Sequence, residues 1–218
     1  MKCSGKTMLL YAVTDRAWTG EQTLYEQMEQ ALRGGVTCVQ LREKKLDGEA
    51  FLKEAEGIKA LCRRYRVPFI VNDNVEAAIA CGADGIHVGQ KDMEAGRVRR
   101  LAGDGMILGV SVHTAGEARQ AIKSGADYLG AGAVFSTATK TDASRMSMET
   151  LRDICRVCRA AKVPVVAIGG INRDNIMELA GSGVDGAAVV SAIFSAPDIE
   201  KACRTLRGLA EKMVNTTI

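Results

Sequence analysis

The sequence predicts a single-domain α/β protein folded as a (β/α)8 TIM barrel, and three observations support this prediction. The chain has 218 residues, which suits one compact eight-fold barrel over residues 1–218. Short apolar or β-branched runs alternate with longer segments of helical spacing, which is the pattern of a parallel sheet built from βα units. Eight such runs occur along the chain, and eight strands close a barrel.

The predicted strands follow one another with a predicted helix between each pair. They are Met8–Thr14, Thr37–Arg42, Pro68–Asn72, Gly85–Gly89, Ile107–Val112, Tyr128–Val134, Pro164–Gly169 and Gly186–Ser191. A doubly wound open sheet is the structural alternative. That fold predicts neither eight strands nor glycine-rich ends at both strand seven and strand eight.

A repeated segment marks the entry into the even-numbered strands. The copies are Gly82-Ala83-Asp84, Gly125-Ala126-Asp127 and Gly183-Val184-Asp185, with Gly34–Thr37 as a looser fourth. Glycine ends a helix in the left-handed conformation, and the polar residue enters the strand. Strands three and seven are entered through Pro68 and Pro164, where the missing N–H of proline costs least.

Composition and charge narrow the class of function. Hydrophobic residues make up 47% of the chain and charged residues 25%, enough for a sizeable core. The net charge of +3 is spread along the chain, so we expect neither nucleic acid nor membrane as the main partner.

Seven scattered cysteines and no secretory segment predict a cytoplasmic protein. Cys155 and Cys158 form a C-x-x-C in a predicted helix with no second pair, so no metal or redox role is expected.

Polar residues gather where the predicted strands end, which is where barrels carry their active sites. They are Gln40, Arg42, Glu43 and Lys44 for strand two, Asn72 and Asp73 for strand three, His87, Gln90 and Asp92 for strand four, Ser111 and His113 for strand five, Thr137, Thr139 and Lys140 for strand six, Gly169, Gly170 and Asn172 for strand seven, and Ser191 for strand eight. The strand starts show nothing comparable. We therefore predict an active site at this end.

The glycines after strand seven, together with Ser191, predict a phosphate site of the kind that barrels build from their last two loops. Backbone N–H groups can hold a dianion there. A tight strand-to-helix turn would also require Gly169 and Gly170, so that alternative stays open.

Asp73 and Asp92 are candidate ligands for Mg²⁺, which is usually held by one or two carboxylates plus phosphate oxygens and water. Each of them could instead cap a helix. Arg42, Lys44 and Lys140 end neighbouring walls of the same mouth, and cations beside carboxylates are suited to a magnesium diphosphate. This grouping favours the metal interpretation.

Other polar residues at this end have no assigned role. His87 lies in an apolar strand and is expected to be buried and hydrogen bonded, whereas His113 could cap a helix. Thr14-Asp15-Arg16 could line the mouth, and a turn with a surface ion pair explains the same residues equally well.

Seven segments between Leu10 and about Ala196 together match one known family. They are Tyr11-Ala12-Val13-Thr14-Asp15, Val39-Gln40-Leu41-Arg42-Glu43-Lys44, Val71-Asn72-Asp73, Gly85-Ile86-His87-Val88-Gly89-Gln90-Lys91-Asp92, Gly109-Val110-Ser111, Phe135-Ser136-Thr137-Ala138-Thr139-Lys140 and Ala167-Ile168-Gly169-Gly170-Ile171. On these segments the chain resembles the thiamine-phosphate synthase family. The resemblance implies a barrel that joins a hydroxymethylpyrimidine diphosphate to a thiazole phosphate, with Mg²⁺, and releases diphosphate.

The resemblance also implies roles for individual residues. The pyrimidine diphosphate would be held by Gln40, Arg42, Lys44, Asn72, Ser111 and Lys140. Mg²⁺ would be held by Asp73 and Asp92. The thiazole phosphate would be held by Thr137, Thr139, Gly170, Val190 and Ser191. The catalytic residues would be Arg42, Lys44, Ser111 and Lys140, which stabilise a dissociating diphosphate, so no nucleophile or base is needed. The oligomeric state is left open.

Three other functions remain as alternatives. A thiazole tautomerase shares the barrel and the thiazole phosphate site but uses a histidine near the end of strand six, where this chain has Ala133. A catalytically silent phosphate-binding barrel would not need the two carboxylates and three cations. An epimerase-like sugar-phosphate barrel would need paired acid and base groups, which His87 and His113 do not supply convincingly.

Overall fold

The strands of the protein close into a parallel barrel. A computed structural model describes residues 3–44, 46, 48–136 and 145–216. Within these residues eight strands pair in sequence order, and the last pairs with the first. They are β1 Leu10–Val13, β2 Cys38–Leu41, β3 Phe69–Asn72, β4 Gly85–Val88, β5 Ile107–Val112, β6 Tyr128–Gly132, β7 Val165–Ile168 and β8 Gly186–Val189. The predicted barrel is confirmed, and each strand lies within its predicted run.

Helices surround the barrel and cover its outer face. Those described are α1 Gly5–Met8, α2 Leu24–Arg33, α3 Gly48–Tyr65, α4 Val75–Ala80, α5 Ala95–Ala102, α6 Ala115–Lys123, α7 Met148–Ala161, α8 Ser191–Phe194 and α9 Ile199–Asn215, with 3-10 turns at Arg16–Trp18 and Ile176–Leu179. The connection from β7 to β8 differs from the prediction, because it holds only the short turn Ile176–Leu179 where a helix was expected. Helix α9 packs against this turn. None of the described helices is long and apolar enough to cross a membrane.

The repeated entry segments share one structural role. The polar residue that precedes each even-numbered strand accepts a hydrogen bond from a backbone N–H near the start of the preceding odd strand. The pairs are Thr37 with Leu10 at 2.9 Å, Asp84 with Phe69 at 2.9 Å, Asp127 with Leu108 at 2.8 Å and Asp185 with Val165 at 2.8 Å. The repeat therefore links each odd-numbered strand to the even-numbered strand that follows it, at the amino-terminal end of the barrel.

The barrel interior is filled from its amino-terminal end. Its buried side chains are Met8, Tyr11, Val13, Cys38, Ile70, Ile107, Tyr128, Val166 and Ala188. Gly109 on β5 makes room for the large ring of Tyr128, which a Cβ at that position would overlap. Because α1 contributes the fully buried Met8 at this end, the free space of the barrel lies at the carboxyl ends of the strands.

The seven cysteines are free thiols, and all except Cys3 are buried. Burial raises the pKa of the Cys155 and Cys158 thiols to about 12. A thiol with so high a pKa stays protonated, and the thiolate is the form that attacks electrophiles or binds metals. The C-x-x-C therefore belongs to the packed inner face of α7.

Candidate active site

A cavity of about 490 Å³ opens at the carboxyl ends of the strands. The predicted site residues that line it are Gln40, Arg42, Lys44, Asn72, Asp73, Asp92, Ser111, Gly170, Val190 and Ser191. They come from six strand ends that are far apart in the sequence, and the barrel brings them to one mouth. Thr137, Thr139 and Lys140 lie outside the described residues.

The side chain of Asp73 is fixed by its neighbours on β2, β3 and β4. Its carboxylate pairs with the ammonium group of Lys44 and accepts a hydrogen bond of 2.9 Å from the amide of Asn72. Its backbone N–H donates to the carbonyl of His87 at 2.8 Å, and its φ of 55° lies in the left-handed region. A non-glycine residue keeps this conformation where the surrounding contacts hold it.

The helix caps near the two candidate metal ligands are other residues. Asn74 caps α4 with its side-chain oxygen, and Glu94 caps α5. The carboxylate of Asp92 instead accepts a hydrogen bond from the backbone N–H of Gly89 at 2.7 Å. The alternative in which Asp73 and Asp92 cap these helices is therefore wrong.

Asp73 and Asp92 follow the neighbouring strands β3 and β4 and line the same cavity. Among the described residues, no group of three or more His, Cys, Asp or Glu side chains is arranged to hold a metal ion. Two carboxylates facing an open cavity suit Mg²⁺, which takes its other ligands from substrate oxygens and water. A structural zinc site would instead need a closed set of nitrogen and sulfur ligands.

A buried chain of hydrogen bonds forms the floor of the cavity. The amide of Gln40 donates to the Tyr11 hydroxyl at 2.9 Å, and the hydroxyls of Tyr11 and Tyr128 lie 2.8 Å apart. His87 Nδ1 lies 2.9 Å from the Tyr128 hydroxyl, and its Nε2 lies 2.8 Å from Ser111 Oγ. Burial raises the pKa of both tyrosines far above the ordinary value, so both remain neutral phenols.

The sequence analysis gave neither tyrosine a role, and of the two Tyr11 lines the cavity whereas Tyr128 lies fully buried beside it. Their rings lie edge to face across the barrel with centroids 5.8 Å apart. The available signal was strand alternation, because Tyr11 and Val13 occupy one face of β1, as do Tyr128 and Gly130 on β6. His87 is buried and hydrogen bonded, as expected.

His113 lies at the rim of the cavity and does not cap a helix. Thr114 caps α6 with its hydroxyl, and His113 Nδ1 lies 3.1 Å from a carboxylate oxygen of Glu117. The expectation that the His113 ring could cap α6 is therefore wrong.

The opposite wall of the cavity is a glycine turn after β7. Gly169 and Gly170 have φ angles of 103° and 65°, and a Cβ on Gly170 would overlap the carbonyl of Ser136. The carbonyl of Gly170 accepts a hydrogen bond of 2.9 Å from Asn175. Among the described residues, no acceptor pairs with the Gly170 N–H. The turn therefore needs glycine for its shape, and it also presents backbone to the cavity beside Ser191, the first residue of α8.

Comparison with known proteins places this barrel in a family. The family model described as Thiamine monophosphate synthase matches residues 10–193. The chain belongs to the thiamine monophosphate synthase family. The resemblance that the sequence motifs indicated is therefore confirmed.

Relatives of the thiamine monophosphate synthase family align over nearly all of the chain. Thiamine-phosphate synthase of Ruminiclostridium cellulolyticum is 48% identical over 197 residues, which cover 90% of this chain and 92% of the relative. The enzyme of the same name from Clostridium tetani is 46% identical over 199 residues, covering 91% and 94%. Among solved structures, thiamine phosphate pyrophosphorylase from Pyrococcus furiosus superposes with a TM-score of 0.87 at 39% identity, covering 97% of this chain and 99% of the other.

Proposed function

We propose that this enzyme joins 4-amino-2-methyl-5-(diphosphooxymethyl)pyrimidine to a thiazole phosphate, giving thiamine phosphate and diphosphate. Membership of the thiamine monophosphate synthase family supports the reaction class. The observation that carries the proposal is a single cavity with two different polar walls. Cations and carboxylates line the wall at β2 to β4, and a glycine turn with Ser191 lines the wall at β7 and β8. Each of two anionic substrates would then have its own wall.

The wall at β2 to β4 is suited to a leaving diphosphate. Arg42 and Lys44 bring two positive charges to it, Asn72 adds a hydrogen-bonding group, and Ser111 on the neighbouring β5 adds another. Asp73 and Asp92 would hold Mg²⁺, which when bound would neutralise negative charge on the diphosphate. The role of Lys140 in stabilising the leaving diphosphate stays a prediction.

The floor is suited to a pyrimidine ring. Tyr11 and Gln40 line this part of the cavity, and the Gln40 amide can donate and accept hydrogen bonds. Tyr128 is fully buried and supports Tyr11 through the contact between their hydroxyls. These neutral groups can orient a flat amino-substituted ring without attacking it. As the bond between the methylene carbon and the diphosphate oxygen breaks, the pyrimidine would stabilise the methylene cation, and the thiazole nitrogen would attack it.

The chain's own contribution is then mainly to hold two substrates in line and to stabilise charge on the leaving group. Gly170, Val190 and Ser191 would hold the thiazole phosphate, together with the predicted Thr137 and Thr139. No protein nucleophile is required. A tautomerase would require a titratable side chain at the end of β6, and Ala133 brings none.

The proposal is tested by incubating the purified enzyme with both substrates and Mg²⁺. Thiamine phosphate and diphosphate should form in equal amounts, EDTA should abolish the reaction, and excess Mg²⁺ should restore it. Product formation undiminished by chelator would overturn the metal assignment. Absence of product with either thiazole tautomer would overturn the function.

A further inference from the structure

Three consecutive residues after β1 contact the segment that carries the cations of the diphosphate wall. The Thr14 hydroxyl accepts a hydrogen bond of 2.9 Å from the backbone N–H of Arg42 and donates one of 3.1 Å to the Arg42 carbonyl. Asp15 lies next, with its carboxylate 3.8 Å from the Arg42 guanidinium. The buried side chain of Thr14 therefore extends the pairing of β1 and β2 past the last strand residues.

The third residue, Arg16, contacts Glu43. Its Nε donates to a Glu43 carboxylate oxygen at 2.6 Å, and its Nη2 donates to Glu54 on α3 at 2.6 Å. The side chain of Glu43 is 1% exposed and lies between two residues that line the cavity, Arg42 and Lys44. Glu43 does not line the cavity itself. Arg16 therefore ties the middle residue of this segment to the outside of the barrel.

The alternation of these three side chains has a functional consequence. Arg42 and Lys44 line the cavity while Glu43 between them is held on the other side by Arg16, so this contact fixes the backbone from which both cations reach inward. Two long cations that are already directed at an anion lose less conformational entropy when it binds.

We propose that Arg16 is a positioning residue for the diphosphate site, acting through Glu43. The inference rests on the proposed function for the identity of the anion. Arg16 contacts neither the cavity nor Lys44. Its planar guanidinium holds the carboxylates of Glu43 and Glu54 at the same time, an arrangement that a lysine ammonium does not reproduce. Of the two interpretations of Thr14-Asp15-Arg16, the structure supports a turn with an ion-paired arginine, since none of the three residues lines the cavity.

The test compares Arg16→Gln with the unchanged enzyme in two assays. Binding of inorganic diphosphate in the presence of Mg²⁺, measured by calorimetry, should weaken about tenfold. This is the loss expected when one well-placed charged contact to the anion is lost. In steady-state assays the KM for the pyrimidine diphosphate should rise by a similar factor, while the KM for the thiazole phosphate changes less than about twofold. Because the calorimetry needs no turnover, failure of the proposed function and failure of this inference give different results.

Two further variants keep the test decisive. Removing Arg16 alone takes one opposite charge away from the buried Glu43 carboxylate, so that variant can fold poorly. The double variant Arg16→Gln/Glu43→Gln removes both charges and should show the same selective loss of diphosphate affinity. Arg156→Gln, which removes an exposed arginine paired with Asp153 on α7, is the matched control and should leave both affinities unchanged. A double variant with a lowered unfolding temperature but unchanged diphosphate affinity, or equal losses for both substrates, would overturn the proposal.

Discussion

The hydroxyl of Tyr128 lies at the centre of the buried floor, and Tyr128→Phe removes it without changing the ring. It is within hydrogen-bond distance of the Tyr11 hydroxyl at 2.8 Å and of His87 Nδ1 at 2.9 Å. Both tyrosine rings are almost completely buried, so water cannot easily replace the lost group. The substitution therefore isolates the contribution of two hydrogen bonds across the barrel interior.

The size of the effect follows from the number of bonds. A hydrogen bond contributes about 1 kcal/mol net, and a buried group that loses its partner costs about 1–3 kcal/mol. Tyr128→Phe should therefore lower the free energy of unfolding by about 2 kcal/mol, and Tyr11→Phe, which removes bonds to Gln40 and Tyr128, by a similar amount. In a protein of this length a loss of about 2 kcal/mol lowers the melting temperature by roughly 4–8 °C.

The double variant Tyr11→Phe/Tyr128→Phe gives the sharper result. The bond between the two hydroxyls is lost in both single variants but only once in the double variant, so the double loss should be about 3 kcal/mol and not about 4. Urea unfolding followed by far-ultraviolet circular dichroism measures all three. Tyr25→Phe is the control, because Tyr25 is 40% exposed and should change stability by less than about 0.5 kcal/mol. Losses that add fully, or a Tyr128→Phe as mild as Tyr25→Phe, would refute the reasoning.

Two further predictions concern the glycine turn and the base of the barrel. Gly170→Ala places a Cβ against the Ser136 carbonyl at a φ of 65°, so the KM for the thiazole phosphate should rise by about tenfold or more while that for the pyrimidine diphosphate stays within about twofold. Steady-state kinetics with each substrate varied in turn measures this. Equal increases in the two KM values would show that Gly170 does not act on the thiazole phosphate alone. Burial raises the pKa of Asp185, so its ionisation opposes folding, and wild type should lose stability relative to Asp185→Asn as pH rises through that pKa. Urea unfolding of both proteins between pH 4 and 7 measures the difference in their free energies of unfolding. An increase in the stability of the wild type relative to the variant with rising pH would contradict the prediction.

The fold was predictable because its signals are local. Each strand is a short apolar run, and the residues that enter the even strands are the ones that pair with the start of the odd strands, as Asp84 does with Phe69. The β7 to β8 connection was not predictable in the same way. The segment before Gly183 forms only the turn Ile176–Leu179, and its covering helix is α9, which follows the barrel in sequence. No local pattern shows that a distant helix packs over this turn.

The charged residues of the candidate site could be picked out from the sequence, and the tyrosines of its floor could not. Arg42, Lys44 and Asp73 stand out because charged residues directly after buried strands have few structural reasons to be there. Tyr11 and Tyr128 do not stand out, because an aromatic residue within an apolar run has the composition of ordinary core. Only the closed barrel shows that their hydroxyls meet. The helix caps were misplaced for a different reason: the residues that cap, Asn74, Glu94 and Thr114, lie only one or two positions after Asp73, Asp92 and His113.

The floor differs from the rim because it belongs both to the barrel interior and to the candidate site. Tyr11 on β1 and Tyr128 on β6 belong to strands that are not neighbours, so their hydroxyl contact crosses the interior where apolar packing gives way to the cavity. A change on this layer should alter both the cavity surface, to which Tyr11 belongs, and the packing of the barrel. Arg42 and Lys44 extend from the ends of the strands into the mouth, and their direction depends on Arg16 and Glu43 outside it. Substitutions at the rim should therefore change affinity for the anions at little cost to folding, whereas substitutions on the floor should change both together.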